Sequence, residues 1–332
     1  MTLDNDSAMP PESSPDPGDD HPAASPIDAM LDQLADVTLP ASQRVMLASQ
    51  LLTFRHDARV EAAYVKLLAS EADESLLRHL IQLVGKCRTK ESVMPLVDLM
   101  LWTGQSAYEE ANPGNGQSDR VLKVRVGATK ALGKIGDDRA LVPLMGMLNN
   151  MRENYRLRLA AAESLGNIGH AQAIHPLLNV VQDDTEHSHY VKESAVKALG
   201  MLGDIRALEP LLDIFESKQG ITQKFNFLKE RLIESIGRLG ATQNRAIRVL
   251  QEALKDEASY IRLAAVQSLC DIGDEACIPL LKECLFDSDD DVAMAATAAL
   301  YQIGGESLIR QVLDEQENLP KFVRDELECY IP

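Results

Sequence analysis

The chain has 332 residues, of which 45% are hydrophobic but only 4% aromatic, and its formal net charge is −18. This acidic balance argues against nucleic acid as a partner, because phosphate binding needs a basic surface. The charge is uneven, since residues 1–40 contain nine acids and no base, and residues 252–332 contain eighteen acids and six bases. Residues 41–251 are left with a net charge of +3, which allows a local basic patch.

The N-terminal segment, residues 1–26, is rich in proline, serine and aspartate. Such a composition buries too little apolar surface to offset the entropy of ordering, so we predict a disordered acidic tail. It would serve either as a solubilising leader or as a docking arm. We find no secretory leader, no apolar run long enough to span a membrane and no C-x-x-C pair. These absences predict a cytoplasmic protein without a membrane span, with five reduced cysteines.

From Ala41 onward one pattern recurs, most clearly as Leu-Gly-x-Ile-Gly, and we take its first glycine as the marker of each repeat. Including degenerate members, the markers are Leu52, Gly85, Gly133, Gly166, Gly200, Gly237, Cys270 and Tyr301. Six of the seven steps between them are 31 to 37 residues long, and one step of 48 contains an insertion. A period of this length predicts two short helices and two turns in each repeat.

The residues around each marker have the chemistry of that arrangement. Val124, Ala128 and Leu132 recur at helical spacing and predict one buried stripe on the first helix. The second glycine of the motif suits a left-handed C-cap, at Gly136, Gly169, Gly203, Gly240 and Gly273. An aspartate after it, at 137, 204 or 274, can cap the second helix. No repeat has enough apolar area to fold alone, so the repeats must stack on a continuous core.

The string V-R-x-x-A-x-x-A-L-G-x-I-G-D-x-R-A-x-x-P-L is best preserved in residues 124–144 and 191–211. It resembles the HEAT repeats, specifically the HEAT-like repeats named after the phycobilisome lyases. The resemblance implies an all-α fold, a right-handed α-solenoid (α-α superhelix) of about eight HEAT-like two-helix repeats. We expect the repeats to cover residues 27–313, with a C-terminal cap at residues 314–332. Members of this family include bilin-attaching lyase subunits, phycobilisome degradation factors and scaffolds.

The sequence offers no convincing catalytic or metal-binding constellation. It contains no His-Glu dipeptide, which argues against the di-iron hydroxylases among HEAT-like proteins. His170 and His187 fall in turns on opposite edges of the array, which is typical of solvated loop histidines. Cys270, Cys277 and Cys284 are spaced by seven residues and are interpreted as core. We therefore predict no catalytic residue, no cofactor and no metal.

Two sets of side chains recur at the start of the first helices. Eight residues before the marker is the base ladder: Arg125, Arg158, Lys192, Lys229 and Arg262. Ten residues before it is the edge ladder: Lys123, Arg156, Tyr190, Phe227 and Tyr260. Such a strip would bind an acidic partner. Alternatively, the bases pair with acids of the preceding loops and the aromatic residues pack at the start of the helix.

Two insertions follow second helices: residues 102–120, with Trp102 and Tyr108, and residues 217–227, with Phe225. Loops on one edge of a solenoid often carry its binding function, and Trp and Tyr are frequent interface anchors. The alternative is that Trp102 fills the gap left by the 48-residue step. Both interpretations stay open.

We therefore expect a non-catalytic scaffold, adaptor or assembly factor that binds another protein. Its surface would be the concave face, which we expect the second helices to line, together with the insertion edge. The resemblance supports one alternative, a subunit of a bilin lyase or isomerase, or a phycobilisome-associated factor, with a bilin as ligand. The predicted partner-binding residues are the base ladder, the aromatic residues of the edge ladder, Trp102, Tyr108 and Phe225.

Overall fold

The computed structural model describes residues 25–113, 118–217, 226–240 and 244–331. In these ranges all regular structure is helical. Most of the predicted tail lies outside them, and Ser25 and Pro26 open the first helix. The α-helices are α1 (Pro26–Ala35), α2 (Ala41–Leu51), α3 (Ala58–Ser70), α4 (Glu74–Cys87), α5 (Val93–Leu101), α6 (Ala107–Ala111), α7 (Asp119–Ile135), α8 (Leu141–Asn149), α9 (Tyr155–Ile168), α10 (Ile174–Gln182), α11 (His189–Leu202), α12 (Leu208–Ser217), α13 (Asn226–Leu239), α14 (Asn244–Ala253), α15 (Ser259–Ile272), α16 (Ile278–Cys284), α17 (Asp290–Glu315) and α18 (Lys321–Cys329).

These helices pair into the predicted repeats, which confirms the all-α solenoid. The first helices are α2, α4, α7, α9, α11, α13, α15 and the N-terminal part of α17. The second helices are α3, α5, α8, α10, α12, α14, α16 and the C-terminal part of α17, which breaks at Gly305 (φ 61°, ψ −161°). Their apolar faces form one continuous core. In the described part of the chain no helix is both long and apolar enough to span a membrane.

The turn inside most repeats has the predicted chemistry. The first helix ends in the left-handed conformation at Gly136, Gly169, Gly203 and Gly273. The residue that follows each glycine caps a short 3₁₀ turn before the second helix. Its side chain accepts a hydrogen bond from the backbone N–H of the residue two positions later; these capping residues are Asp137, His170, Asp204 and Asp274. Gly240 departs from the prediction, because its φ is not positive. A Cβ there would lie 2.7 Å from the Cβ of Ala246, so this glycine allows α14 to approach closely instead.

Replacing Asp137 with alanine should lower the free energy of unfolding by about 1 kcal/mol at neutral pH, because this side chain caps the turn before α8. Its Oδ1 accepts from Arg139 Nε at 2.8 Å and from the Arg139 backbone N–H at 3.0 Å. The guanidinium hydrogen bond, with the backbone one, holds the pKa of Asp137 below its ordinary value.

The effect of this substitution should depend on pH. A carboxylate with a lowered folded-state pKa stabilises the fold fully above its unfolded pKa of roughly 3.9, and less as the pH falls through the folded pKa. The difference in urea midpoint between the native chain and Asp137→Ala should therefore be constant near neutral pH and shrink below about pH 4. Asp137→Asn keeps the acceptor and should cost less. An equal cost for both variants would contradict the capping role.

Neighbouring first helices approach closely through a glycine on one helix and a small residue on the next. The pairs with serine are Gly133 with Ser164, Gly200 with Ser235, and Gly237 with Ser268. A Cβ built on any of these glycines would lie within 2.6 Å of an atom of the facing serine. Each serine hydroxyl also donates to the carbonyl four residues before its glycine, at 2.8 to 3.1 Å. These contacts join consecutive repeats.

The two layers of helices are spaced differently. Each first helix contacts the next extensively, whereas successive second helices touch at few positions. In a curved stack the shorter spacing lies on the inner side, so we infer that the first helices line the concave face. This corrects the expectation that the second helices line it. The physical reason is the motif itself, because its glycines allow the first helices to approach one another closely.

Candidate partner-binding face

The first two members of the base ladder, Arg125 and Arg158, are buried inside the fold, as is Arg44 at the same position before the degenerate marker Leu52. In Arg44, Arg125 and Arg158, Nε donates to the carbonyl of the penultimate residue of α1, α5 or α8, at 2.8 to 2.9 Å. The same guanidinium forms an ion pair with a glutamate in the loop after the repeat, at Glu71, Glu153 or Glu186. The three arginines are 2 to 4% exposed. Arg125 and Arg158 therefore offer a partner almost no surface.

The rest of the base ladder is half-buried and also bonded within the chain. Lys192 Nζ donates to the Asp183 carbonyl, Lys229 pairs with the Asp256 carboxylate, and Arg262 pairs with the Asp287 carboxylate. This is the alternative weighed from the sequence, in which the bases serve the loops. The carboxylates that pair with Lys229 and Arg262 come from the loop that follows the repeat rather than from the preceding one. Reversing any of these charges should therefore reduce stability together with any binding.

The edge ladder, by contrast, is at the surface. The side chains of Lys123 and Arg156 are 51% and 54% exposed. Tyr190, Phe227 and Tyr260 are 61%, 70% and 40% exposed. Helix geometry explains the difference between the ladders, because residues two positions apart point about 200° away from each other. The Tyr190 ring also stacks on Tyr155, with centroids 6.1 Å apart.

The first insertion folds back onto the array. Trp102 ends α5 with a φ of 59°, and its ring meets that of Tyr108 edge to face at 6.0 Å. Tyr108, in α6, is 3% exposed, and Trp102 is half-buried against the core. This packing favours the gap-filling interpretation of the insertion. Phe225 lies outside the described residues.

The first helices α4, α7 and α9 form an open groove of about 320 Å³ on the concave face. Its charged lining consists of four cations, which we call the basic strip: Arg78, Lys123, Lys130 and Arg156. None of the lining residues is acidic, and Ile81, Leu122 and Val126 add an apolar floor. The strip therefore suits an acidic segment that also carries apolar side chains.

The cations of the basic strip are each about half exposed. Together they share three acids outside the groove lining, Glu74, Asp119 and Glu163, at 2.8 to 3.7 Å. Exposed pairs of this kind contribute at most about 1 kcal/mol, so a partner's carboxylates can replace them at little cost.

Helix α7 makes this part of the face positive, with four exposed bases, at 120, 123, 130 and 134, against one acid. A concave surface concentrates such a potential. A second hollow of about 750 Å³ adjoins the groove, shares Arg78 with it and adds Arg120, although Asp73 and Glu74 also line it. Arg78 and Lys130 were not selected from the sequence. The available signal was the spacing of Lys123, Lys130 and Lys134, which places all three on the polar side of α7.

Ser49 Oγ lies 2.8 Å from His79 Nε2, as a serine nucleophile and its histidine base do in an active site. The Ser49 hydroxyl donates its single proton to the Val45 carbonyl at 3.0 Å. With the hydroxyl proton on the Val45 carbonyl, the His79 tautomer with a proton on Nε2 completes the contact as the donor, and that tautomer is not a base toward the serine. Burial, and secondarily the charge of Lys86, lowers the pKa of His79. We interpret the pair as a structural link between α2 and α4.

The four buried or half-buried cysteines are poorly reactive. Burial raises the pKa of the thiols of Cys87, Cys270, Cys277 and Cys284, the last to about 12. A thiol with a raised pKa is a poor nucleophile and a poor bilin acceptor. Among the residues that the structure describes, no group of three or more His, Cys, Asp or Glu side chains is placed to hold a metal ion.

Several solved structures are similar to this chain. The complex of CpcE and CpcF of phycocyanin lyase from Nostoc sp. PCC7120 is 23% identical, covering 65% of this chain and 92% of that one, with a TM-score of 0.43. Human deoxyhypusine hydroxylase is 18% identical over 83% of this chain and 95% of that one, with a TM-score of 0.36. Kap95p in its complex with RanGDP is 13% identical over 93% and 46%, with a TM-score of 0.49.

Sequence comparison gives the family. No curated protein matches the chain. The profile of the PBS lyase HEAT-like repeat matches residues 124–150, which contain most of α7 and all of α8. The profile of the HEAT repeats matches residues 150–224 and 227–317, half of the chain. The chain therefore belongs to the HEAT repeat family.

Proposed function

We propose that this HEAT-repeat chain is a non-catalytic scaffold that binds an acidic segment of another protein along its concave face. The observation that carries the proposal is the groove between α4, α7 and α9, whose charged lining consists of the four cations of the basic strip. An anionic segment would exchange the weak pairs of these cations for its own carboxylates. Arginine can hold a carboxylate through two parallel hydrogen bonds, which favours Arg78 and Arg156 as the orienting contacts.

The exposed aromatic residues of the edge ladder extend this surface toward the C-terminus. Tyr190, Phe227 and Tyr260 occupy corresponding positions on consecutive first helices. Large, rigid aromatic side chains are favoured anchors in protein interfaces. A partner that lies along the array would therefore meet cations near α7 and aromatic rings from α11 onward.

Reversing two charges of the strip, Lys123→Glu with Arg156→Glu, should weaken the complex at least roughly tenfold without lowering the melting temperature. Both side chains are about half exposed, so the change adds repulsion to a carboxylate partner and little strain to the fold. The measurement is co-purification of a stoichiometric partner from the native cell, followed by titration of the purified pair.

Lys66→Glu is the matched control, because Lys66 is exposed on the second helix α3, away from the groove. The control should retain the partner, and higher salt should weaken the native complex. The proposal fails if the double reversal binds as tightly as the native chain, or if the native chain is recovered without a partner.

A second candidate, a bilin lyase subunit, is favoured by the match of residues 124–150 to the PBS lyase HEAT-like repeat. This candidate predicts visible absorbance when the chain is mixed with free bilin and its partner subunit. The buried thiols Cys277 and Cys284 would not be the attachment site, because burial raises the pKa of both. A mixture that stays colourless at stoichiometric bilin would leave the scaffold as the function of the chain.

A further inference from the structure

Residues 1–24, which precede the described residues, are acidic and so complement the charge of the basic strip. Residues 1–24 contain six carboxylates and no lysine or arginine: Asp4, Asp6, Glu12, Asp16, Asp19 and Asp20. Apolar side chains such as Met1, Leu3 and Met9 alternate with them. This is the composition that the groove, with its cations and apolar floor, is suited to bind.

The segment joins the array at the N-terminus of α1, where Asp28 pairs with Arg59 near the start of α3. Ser25 caps α1, and α1 packs against α2 and α3. Val45 of α2 lines the 750 Å³ hollow together with Arg78 and Arg120, and Arg78 also lines the groove of the basic strip. The two hollows together therefore lead from α2 to α9.

The reach of the segment matches this path. Adjacent packed helices lie about 10 Å apart, so about 30 Å separates α2 from α9. An extended chain covers about 3.3 Å per residue, so the carboxylates of residues 16–20 fall within roughly 15 to 30 Å of Ser25. Asp4, Asp6 and Glu12 have still more reach. Because the segment is tethered, its local concentration at the strip is in the millimolar range. A free partner of low abundance is present at a much lower concentration.

We propose that residues 1–24 of the same chain occupy the groove in the absence of a partner, with their carboxylates against the basic strip. The inference rests on the proposed function, since the same groove takes the acidic segment of the partner. A partner that binds must then displace the N-terminal segment. Acidic proteins that bind the groove more weakly than this segment therefore do not bind. A second copy of the chain, offering its acidic C-terminal region, is the competing occupant.

Carbodiimide cross-linking of the native full-length chain tests the occupant, because this reagent joins a carboxylate to an amine in direct contact. We expect cross-links from Asp4, Asp6, Glu12 and Asp16 to Lys123 and Lys130, and their loss at high salt. Lys66 and Lys255 are exposed elsewhere and should receive none from residues 1–24. The pair Lys282 and Glu315, 2.6 Å apart, is the positive control for the reaction.

An equal mixture of isotope-labelled and unlabelled chains identifies the source of each carboxylate. If both peptides of each cross-link carry the same isotope, the segment comes from the same chain, as the inference requires. Peptides of mixed isotope would make a second copy the occupant and overturn the inference. Cross-links to Lys66 and Lys255 as frequent as those to Lys123 and Lys130 would also overturn it.

A binding measurement separates this inference from the proposed function. The six acids of residues 1–24 are changed to Asn or Gln in the full-length chain, and a fluorescent deca-glutamate peptide is titrated. We expect the neutralised variant to bind this probe roughly tenfold more tightly than the native chain, because the competitor is gone. Equal affinity overturns the inference and leaves the proposed function standing. If Lys123→Glu with Arg156→Glu does not weaken probe binding to the neutralised variant, the basic strip is not the site, and both fail.

Discussion

Replacing Arg158 with alanine is expected to reduce the free energy of unfolding by about 3–5 kcal/mol, the cost of removing one partner of a buried ion pair. Its guanidinium pairs with the Glu186 carboxylate at 2.5 Å, and both side chains are almost fully buried. The substitution would leave Glu186 charged and unpaired, and it would remove the hydrogen bond to the Leu148 carbonyl at the end of α8. Urea denaturation followed by helical circular dichroism would measure the loss.

Arg156→Ala is the matched control for this prediction. It removes the same side chain two residues away on α9, but Arg156 is 54% exposed and its pair with Asp119 is 3.4 Å long. Such exposed pairs are worth at most about 1 kcal/mol, so the stability should hardly change. Similar losses for both variants would mean that the burial of Arg158 does not determine its contribution.

A double variant tests the mechanism of the loss. Arg158→Met with Glu186→Gln removes both charges, and the glutamine retains an acceptor for the Ser188 backbone N–H, which Glu186 Oε1 binds at 2.9 Å. Because the cost of the single variant is mostly that of an uncompensated buried charge, the double variant should be more stable than Arg158→Ala. A double variant as unstable as the single one would contradict this account.

The sequence predicted the local parts of the fold well, because they depend on residues close together in the chain. The left-handed caps at Gly136 and Gly203 and the capping carboxylates Asp137 and Asp204 follow from short-range backbone chemistry. The exception, Gly240, depends on a contact with Ala246 across a turn, which the motif alone does not reveal.

The layer on the concave side and the partners of the base ladder were harder to predict. Arg125 bonds to Met100 on one side and to Glu153 on the other, residues 25 and 28 positions away. Only the stacking of repeats brings these groups together. The glutamates Glu71, Glu153 and Glu186 follow their arginines by 27, 28 and 28 residues, but they lie outside the motif, which suggested pairing with the preceding loop instead.

The candidate site was predicted in part. The net charge of the middle of the chain allowed a local basic patch, and Lys123 and Arg156 of the edge ladder line the groove. Arg78 was missed because its repeat is degenerate around Gly85, and Lys130 because only one other first helix, with Lys197, has a base at the same position. A binding surface assembled from three repeats does not need to be periodic.

Replacing Gly237 with alanine is expected to destabilise the array by about 1–3 kcal/mol through overpacking between α13 and α15. The new Cβ would lie 2.5 Å from the Ser268 Cβ and 2.8 Å from its Cα. A rotamer change cannot relieve a clash with backbone, so α15 must move away. That movement would stretch the hydrogen bond from Ser268 Oγ to the Ile233 carbonyl, now 3.1 Å long. The urea midpoint should fall.

The same substitution should have the opposite sign at Gly146, in the exposed middle of α8, where no atom lies within 4 Å of the added Cβ. Alanine is the better helix former by about 0.5–1 kcal/mol, so Gly146→Ala should raise the midpoint. Moving the small residue across the contact, as Gly237→Ala with Ser268→Gly, should recover much of the loss, because only one Cβ then lies between the helices. If Gly237→Ala also stabilises the chain, or if the exchange recovers nothing, close approach at this glycine does not hold the first helices together.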